Sequence, residues 1–150
     1  MSTLSDVSQS NMGWVYPTPY VTGGGSGGGG RATVIDANYA ATLDIDASRS
    51  PNGGSLIIQV GSLTGNITLS NPTNPTNRQK LEYVFIQDAI GGHTLTLGSK
   101  FRLPSSSSLS SPVNSANNPD FTAADAISIL VIEYDELDDK WNVVAFVPGY

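Results

Sequence analysis

From residue 31 onward apolar and polar residues alternate with a period of two, the spacing of a half-buried strand rather than that of a helix. Lys80 to Asp88 (KLEYVFIQD) puts Leu81, Tyr83 and Phe85 on one face and Glu82, Val84 and Ile86 on the other. Ala89-Ile90-Gly91-Gly92 breaks this run, and His93 to Leu97 (HTLTL) resumes it. A Gly-Gly pair supplies the positive φ of a tight reversal, so the pattern predicts a β-hairpin joining the two strands. Further strands are expected at Ala32 to Asp36, Tyr39 to Ile45, Ser55 to Val60 and Asn66 to Ser70, with a turn at Arg49 to Gly54. Asn71 to Asn77, with two prolines and several Asx-turn formers, reads as an ordered loop.

The C-terminal third differs in texture. Pro104 to Asp120 is Ser, Asn and Pro with few apolar residues, a long surface loop expected to meet a neighbouring subunit. Ala126 to Tyr134 (AISILVIEY) is almost wholly apolar and β-branched, as a central strand covered on both faces would be. Asp135 to Asp139 turns, and Lys140 to Val147 (KWNVVAFV) returns. Ala123-Ala124-Asp125 has room for one helical turn at most. About seven or eight strands with frequent turns and no amphipathic helix predict an all-β domain, an antiparallel β-sandwich or jelly-roll-like barrel. No repeat of about 20–50 residues is visible, which disfavours solenoids and propellers.

Residues 1–22 are of another kind: Trp14, Tyr16, Pro17 and Tyr20 sit in a proline-punctuated stretch expected to be an extended N-terminal arm. Aromatic residues are rare in segments that stay unfolded, so Trp14, Tyr16 and Tyr20, with Pro17 between them, are candidate anchors on another surface; the alternative is that they cover an exposed patch of their own domain. Residues 23–30 (GGGSGGGG) form a flexible tether, and 31–150 the β-domain. The tether contains Gly23, Gly25 and Gly28 in GxGxxG spacing, but no strand leads in and no helix leads out, as a phosphate-binding loop requires. Apolar residues on both faces of the strands, such as Val84 and Ile86 behind Tyr83 and Phe85, exceed what a two-layer domain needs. A subunit interface would use the surplus, and Tyr83, Phe85, Trp141 and Phe146 are its candidate residues.

Several of these segments also carry a resemblance. Asn71-Pro72-Thr73-Asn74-Pro75, then Gln87 to Thr96 (QDAIGGHTLT), Gly98 to Pro104 (GSKFRLP), Ala126-Ile127 and Lys140 to Val143 (KWNV) resemble a small β-domain of tailed-bacteriophage and prophage virion proteins. That family usually has arginine where this chain has His93, and the similarity covers about the last 90 residues. It implies a self-assembling structural virion protein, made in the host cytoplasm, with a homotrimer as the expected oligomer. The leading expectation is a capsid decoration or cement protein whose arm lies on the lattice of the major capsid protein; the alternative is a tail-fibre or tail adaptor domain contacting a host receptor.

Composition narrows the chemistry. The net charge is −6 with only seven Lys and Arg, which argues against binding nucleic acid through phosphate contacts. Cysteine is absent, so disulfides and thiolate sites are excluded. No run approaches the ~18 apolar residues of a spanning helix, and no membrane partner is expected. His93, the lone histidine, reads as a solvated turn residue, since a zinc site would need carboxylates for nearly every other ligand. Asp135-Glu136-Leu137-Asp138-Asp139 gathers four carboxylates of the kind Ca²⁺ favours, but departs from the EF-hand order; a solvated turn guarding an edge is the simpler reading. Asp44 and Asp46 share a strand face without an aromatic sugar cleft, and no Gly-x-Ser-x-Gly elbow exposes a nucleophile. Asn66-Ile67-Thr68 matches a glycosylation sequon, which means nothing without a secretion signal. No enzyme activity, cofactor or metal is expected.

Overall fold

A computed structural model describes residues 31–104 and 119–150. Trp14, Tyr16, Pro17 and Tyr20, the tether and most of the Ser-rich loop lie outside the described residues. The expectation of an all-β body holds: nine strands, two three-residue 3-10 turns (Ala47–Arg49 and Pro51–Gly53) and one four-residue α-helix account for the regular structure among the described residues. Two sheets carry them. The larger contains β1 (Thr33–Ala37), β3 (Leu56–Leu63), β5 (Lys80–Gln87), β8 (Ile127–Asp135), β9 (Lys140–Val147) and β7 (Phe101–Arg102), side by side in that order. The smaller contains β2 (Thr42–Leu43), β4 (Ile67–Leu69) and β6 (Leu95–Leu97), again in that order.

Strand pairing corrects the antiparallel part of the expectation. In the large sheet β1, β3 and β5 run parallel, as do β9 and β7; only β5 with β8 and β8 with β9 are antiparallel. The small sheet is parallel throughout. The chain therefore visits the two sheets by turns, winding three times around one interior. Register fixes the length of each circuit: Thr33 pairs with Leu56 and Leu56 with Leu81, while Thr42 pairs with Thr68 and Thr68 with Thr96. This is a short solenoid-like winding, although no sequence repeat announces it. Circuits need to match only in which positions face inward, so the residues themselves are free to differ.

The predicted hairpin is the second correction. Lys80–Gln87 and Leu95–Leu97 do not pair; they belong to different sheets. Gly91 and Gly92 do take positive φ, of 71° and 80°, but they carry the chain across the edge of the body instead of folding it back. The crossing is docked against the segment before β8. Gly92 N–H donates to Thr122 O at 2.7 Å, and Asp125 N–H donates to Asp88 O at 2.9 Å. A Cβ on Gly91 would stand 2.6 Å from the Thr122 carbonyl oxygen, so the close approach itself requires glycine.

Between the sheets lies an apolar core of Leu, Ile and Val with aromatic rings beside it. Leu56, Ile58, Leu81, Leu130, Ile132 and Trp141 are fully buried. The helix α1 (Pro119–Thr122) contributes Phe121, whose ring lies edge-on to Phe85 at 5.9 Å and tilted against Phe146 at 5.9 Å. Tyr83 stacks on Phe85, and Tyr134 packs against Trp141, whose indole N–H donates to Pro72 O at 3.4 Å. Each buried aromatic ring of this kind contributes on the order of 3 kcal/mol.

Asparagine side chains stitch successive circuits together at the bends. Asn66 Oδ1 accepts from Thr94 N–H at 2.9 Å, while its backbone carbonyl accepts from Tyr39 Oη at 3.0 Å. Asn71 Oδ1 accepts from Lys100 N–H at 2.8 Å, and Asn74 Nδ2 donates to Asp46 at 3.2 Å. The loop at Asn71 to Asn77 is thus ordered as expected; Ala47 N–H donates to Thr73 O, extending the small sheet by one bridge from Asp46 to Thr73.

Candidate functional site

The four residues nominated for a subunit interface face the other way. Tyr83 and Phe85 are 1% exposed, Trp141 is 0% and Phe146 is 6%. All four belong to the interior, where their surfaces are already occupied by the small sheet, α1 and one another. The interface assignment is therefore corrected. Alternation divides a strand into two faces without saying which is inside, and here the aromatic face won the interior. Burial of Tyr83 also pushes its phenol well above the ordinary value, which keeps it neutral.

The acidic turn is engaged by basic side chains from a strand far away in sequence. Arg102, on edge strand β7, pairs with Asp135 at 2.9 Å and Asp138 at 2.5 Å and donates through Nε to Asn142 at 2.6 Å. Lys100 pairs with Asp139 at 2.6 Å, and Tyr134 Oη donates to the same carboxylate at 2.9 Å. The Lys100 hydrogen bond and then that of Tyr134 hold the Asp139 carboxyl below its usual range, while donation to Asp139 pushes the Tyr134 phenol up. These contacts lock the β8–β9 turn to the short strand β7, an element that alternation alone had not marked. Among the described residues no group of three or more His, Asp or Glu is arranged to hold a metal ion.

His93 is part-buried rather than fully solvated. Its Nε2 lies 3.2 Å from Asp88 Oδ1, and that oxygen also accepts from Ile90 N–H at 2.9 Å and Gly91 N–H at 2.8 Å. The Gly91 N–H is the largest reason that Asp88 sits below the ordinary carboxylate range. Beside it the buried Gln87 side chain donates to His93 O at 2.9 Å and accepts from His93 N–H at 3.3 Å. The histidine thus braces the crossing between sheets, with its backbone and ring both committed. Asp44 and Asp46 are exposed on one side, as the spacing indicated. Asp46 is held below the ordinary range by hydrogen bonds from the Ser48 hydroxyl, Asn74 and the Ser48 N–H, the opposite of what a general acid needs.

Three concavities and one broad face remain among the described residues, the first a shallow hollow of about 400 Å³ beside Arg102, Leu103, Pro104, Asn142 and Val143. A cavity of about 210 Å³ is lined by Ser48, Ser50, Asn52, Asn74, Thr76 and Gln79. The Gln79 amide within it donates to Ala47 O and Gly54 O and accepts from Thr76 N–H, so its hydrogen-bonding capacity is used internally. The third, of about 280 Å³, opens beside Asp36, Asn38, Gln59, Gly61, Val84 and Ile86. It borders the outer face of the large sheet, where Val84, Ile86, Ile129 and Val131 are only half-buried.

Comparison with known proteins adds the family. A family model described as "Putative phage tail fibre C-terminal domain" matches residues 49–135. The chain belongs to this family. The match runs from the bend before β3 through the second and third circuits to the end of β8, so it covers the later part of the winding, the Gly-Gly crossing and α1. No curated protein and no solved structure matches the chain. Membership in the tail fibre domain family makes this a bacteriophage structural protein associated with the virion.

Proposed function

We propose that this domain works at the phage tail, as the terminal module of a fibre or of an adaptor, and that it acts by fitting and holding rather than by converting a substrate. The observation that carries this reading is the match of the tail fibre C-terminal family to residues 49–135, which is most of the wound body. The geometry is consistent with it. His93 with Asp88, Lys100 with Asp139, and Arg102 with Asp135 and Asp138 are tied across bends and strand edges. A body so braced presents a fixed surface at a fibre end, where loops positioned by a rigid scaffold make contact.

Decoration of the head, with the major capsid protein as partner, is the second reading. It is favoured by one feature of the sequence, the order of aromatic stretch, Gly-rich tether and compact body. Antibody labelling of intact virions viewed by electron microscopy separates the two. A few labels confined to the tail support the proposal; dense labelling over the head overturns it in favour of decoration. Removal of residues 1–22 then tests the mode of attachment on a head, where loss of particle binding by a still folded domain is expected.

A further inference from the structure

Among the described residues the two sheets have four edges, and three of them are blunted by their brevity. The edge strands β2 and β6 of the small sheet are two and three residues long, and β7 of the large sheet is two. Pro104 follows β7 closely, and Arg102 within it is held by Asp135 and Asp138. Short length, proline and charge are the means by which a sheet edge is kept from pairing with a foreign strand. The fourth edge is different. β1 is five residues long, contains neither proline nor lysine, and pairs with β3 without a bulge.

The free side of β1 is a row of backbone groups. Thr33 N–H donates to Ser55 O at 3.0 Å, and the bonding residues alternate along a parallel ladder, so Thr33, Ile35 and Ala37 face β3. Val34 and Asp36 therefore turn their N–H and C=O groups to the open side, where they have no partner among the described residues. An extended segment laid along them would continue the large sheet by one strand.

Charge says what that segment carries. Register sets Asp36, Gln59 and Val84 in one row across β1, β3 and β5, with Glu82 two positions before Val84. The ion pairs of the described residues use other carboxylates, so Asp36 and Glu82 leave this corner negative. The hollow of about 280 Å³ opens here, polar beside Asp36, Asn38 and Gln59 and apolar beside Val84 and Ile86. Gly61 keeps it open, since a Cβ there would meet only Ala37 O, at 3.7 Å. Whereas the Gln79 amide in the polar cavity is satisfied internally, the side chains of Asp36, Asn38 and Gln59 make no hydrogen bond among the described residues. A Lys or Arg side chain matches both halves, its stem on the valine and isoleucine and its cationic head at the carboxylate. Another β1 would not: it brings a second Asp36 and no cation.

We propose that the open edge of β1 receives an extended segment of a different protein, with Lys or Arg beside Asp36 and β-branched residues around it. Main-chain hydrogen bonds to Val34 and Asp36 supply the pairing, and Asp36 with the hollow supplies the choice of sequence. The assignment does not depend on which end of the particle carries the protein.

The test titrates short peptides of alternating Val and Lys, or Val and Glu, into the isotope-labelled full chain. The Val-Lys peptide is expected to shift the amide signals of Val34 and Asp36 and to slow their hydrogen exchange, and the Val-Glu peptide to leave them unmoved. Asp36→Asn should weaken the Val-Lys peptide about fivefold, and Asp36→Lys should reverse the preference. Asp36→Pro removes an outward N–H while sparing the ladder to β3, and should abolish binding of both peptides. Glu136→Gln, at an exposed carboxylate in the β8–β9 turn, should change nothing. No response to either peptide at about 1 mM overturns the proposal, as do equal affinities or signals that move only around Asp135 to Asp139. Binding that survives Asp36→Pro overturns it too, and so does a change of solution mass in that variant, which would mean that a second copy holds the edge. If Asp36→Pro fails to fold, Asp36→Lys decides: a variant that still prefers the Val-Lys peptide refutes the assignment.

Discussion

Two adjacent glycines show how much of this protein is decided by single backbone positions. Gly91 and Gly92 both have positive φ, but only at Gly91 would a Cβ strike backbone, at Thr122 O and Ala124 N. Nothing stands within 4 Å of a Cβ on Gly92. Gly92→Ala should therefore cost only the conformational penalty, about 1 kcal/mol, whereas Gly91→Ala should cost about 3 kcal/mol or more because the segment after α1 must move. Urea unfolding of the two variants measures the difference, and equal midpoints would refute the close approach. Acid response belongs to the same scale. Asp46, Asp88 and Asp139 all lie below their ordinary value of 3.8 in the folded protein. A depressed carboxylate stabilises the fold at any pH above its unfolded value, and that contribution is lost as pH falls through the folded value. The melting temperature should thus be flat down to about pH 4 and fall below it. Asp88→Asn should flatten the fall, since the amide oxygen still accepts from Ile90 and Gly91 but no longer titrates.

At the scale of elements, strand positions were readable and strand partners were not. Alternation located β3, β5, β8 and β9 to within a few residues, because half-buried strands must alternate whatever they pair with. It could not distinguish parallel from antiparallel, since both place side chains on opposite faces with the same period. The Gly-Gly pair suited a hairpin and a crossing equally well. What decided between them was Thr122 and Asp125, residues some thirty positions downstream that no local rule connects to the turn. Arg102 escaped notice as a clasp for the same reason: its partners lie 33 and 36 residues away. Asn71 and Asn74, by contrast, were legible as turn formers, whereas Asn66 was read as the start of a strand, and its role at the bend can be tested. Asn66→Ala removes the acceptor of Thr94 N–H but leaves the carbonyl that Tyr39 uses. Because the site is exposed, water can substitute, and a loss of about 1 kcal/mol is expected in thermal or chemical unfolding. A loss below the error of the measurement would show that the backbone ladders alone hold neighbouring circuits in register.

For the whole molecule, the winding sets the kinetics of folding. Every ladder of the small sheet, and every parallel ladder of the large one, joins residues at least 23 positions apart, the spacing of Thr33 and Leu56. Only β8 and β9 form a local pair. Closing such loops costs entropy before contacts repay it, so refolding from urea should take about milliseconds to seconds, as in other folds rich in distant contacts. Stopped-flow fluorescence of Trp141, buried against Tyr134, would report it, and a microsecond phase carrying the full amplitude would refute the expectation.

The winding also constrains how related chains can lengthen or shorten. A few residues inserted within a strand would turn inward-facing side chains outward, whereas a whole extra lap, some two dozen residues on the spacing from Thr33 to Leu56 and Leu56 to Leu81, would simply add one rung to each sheet. Length differences among homologous bodies should therefore come in steps of about that size, and small insertions should collect at the bends where asparagines now stand.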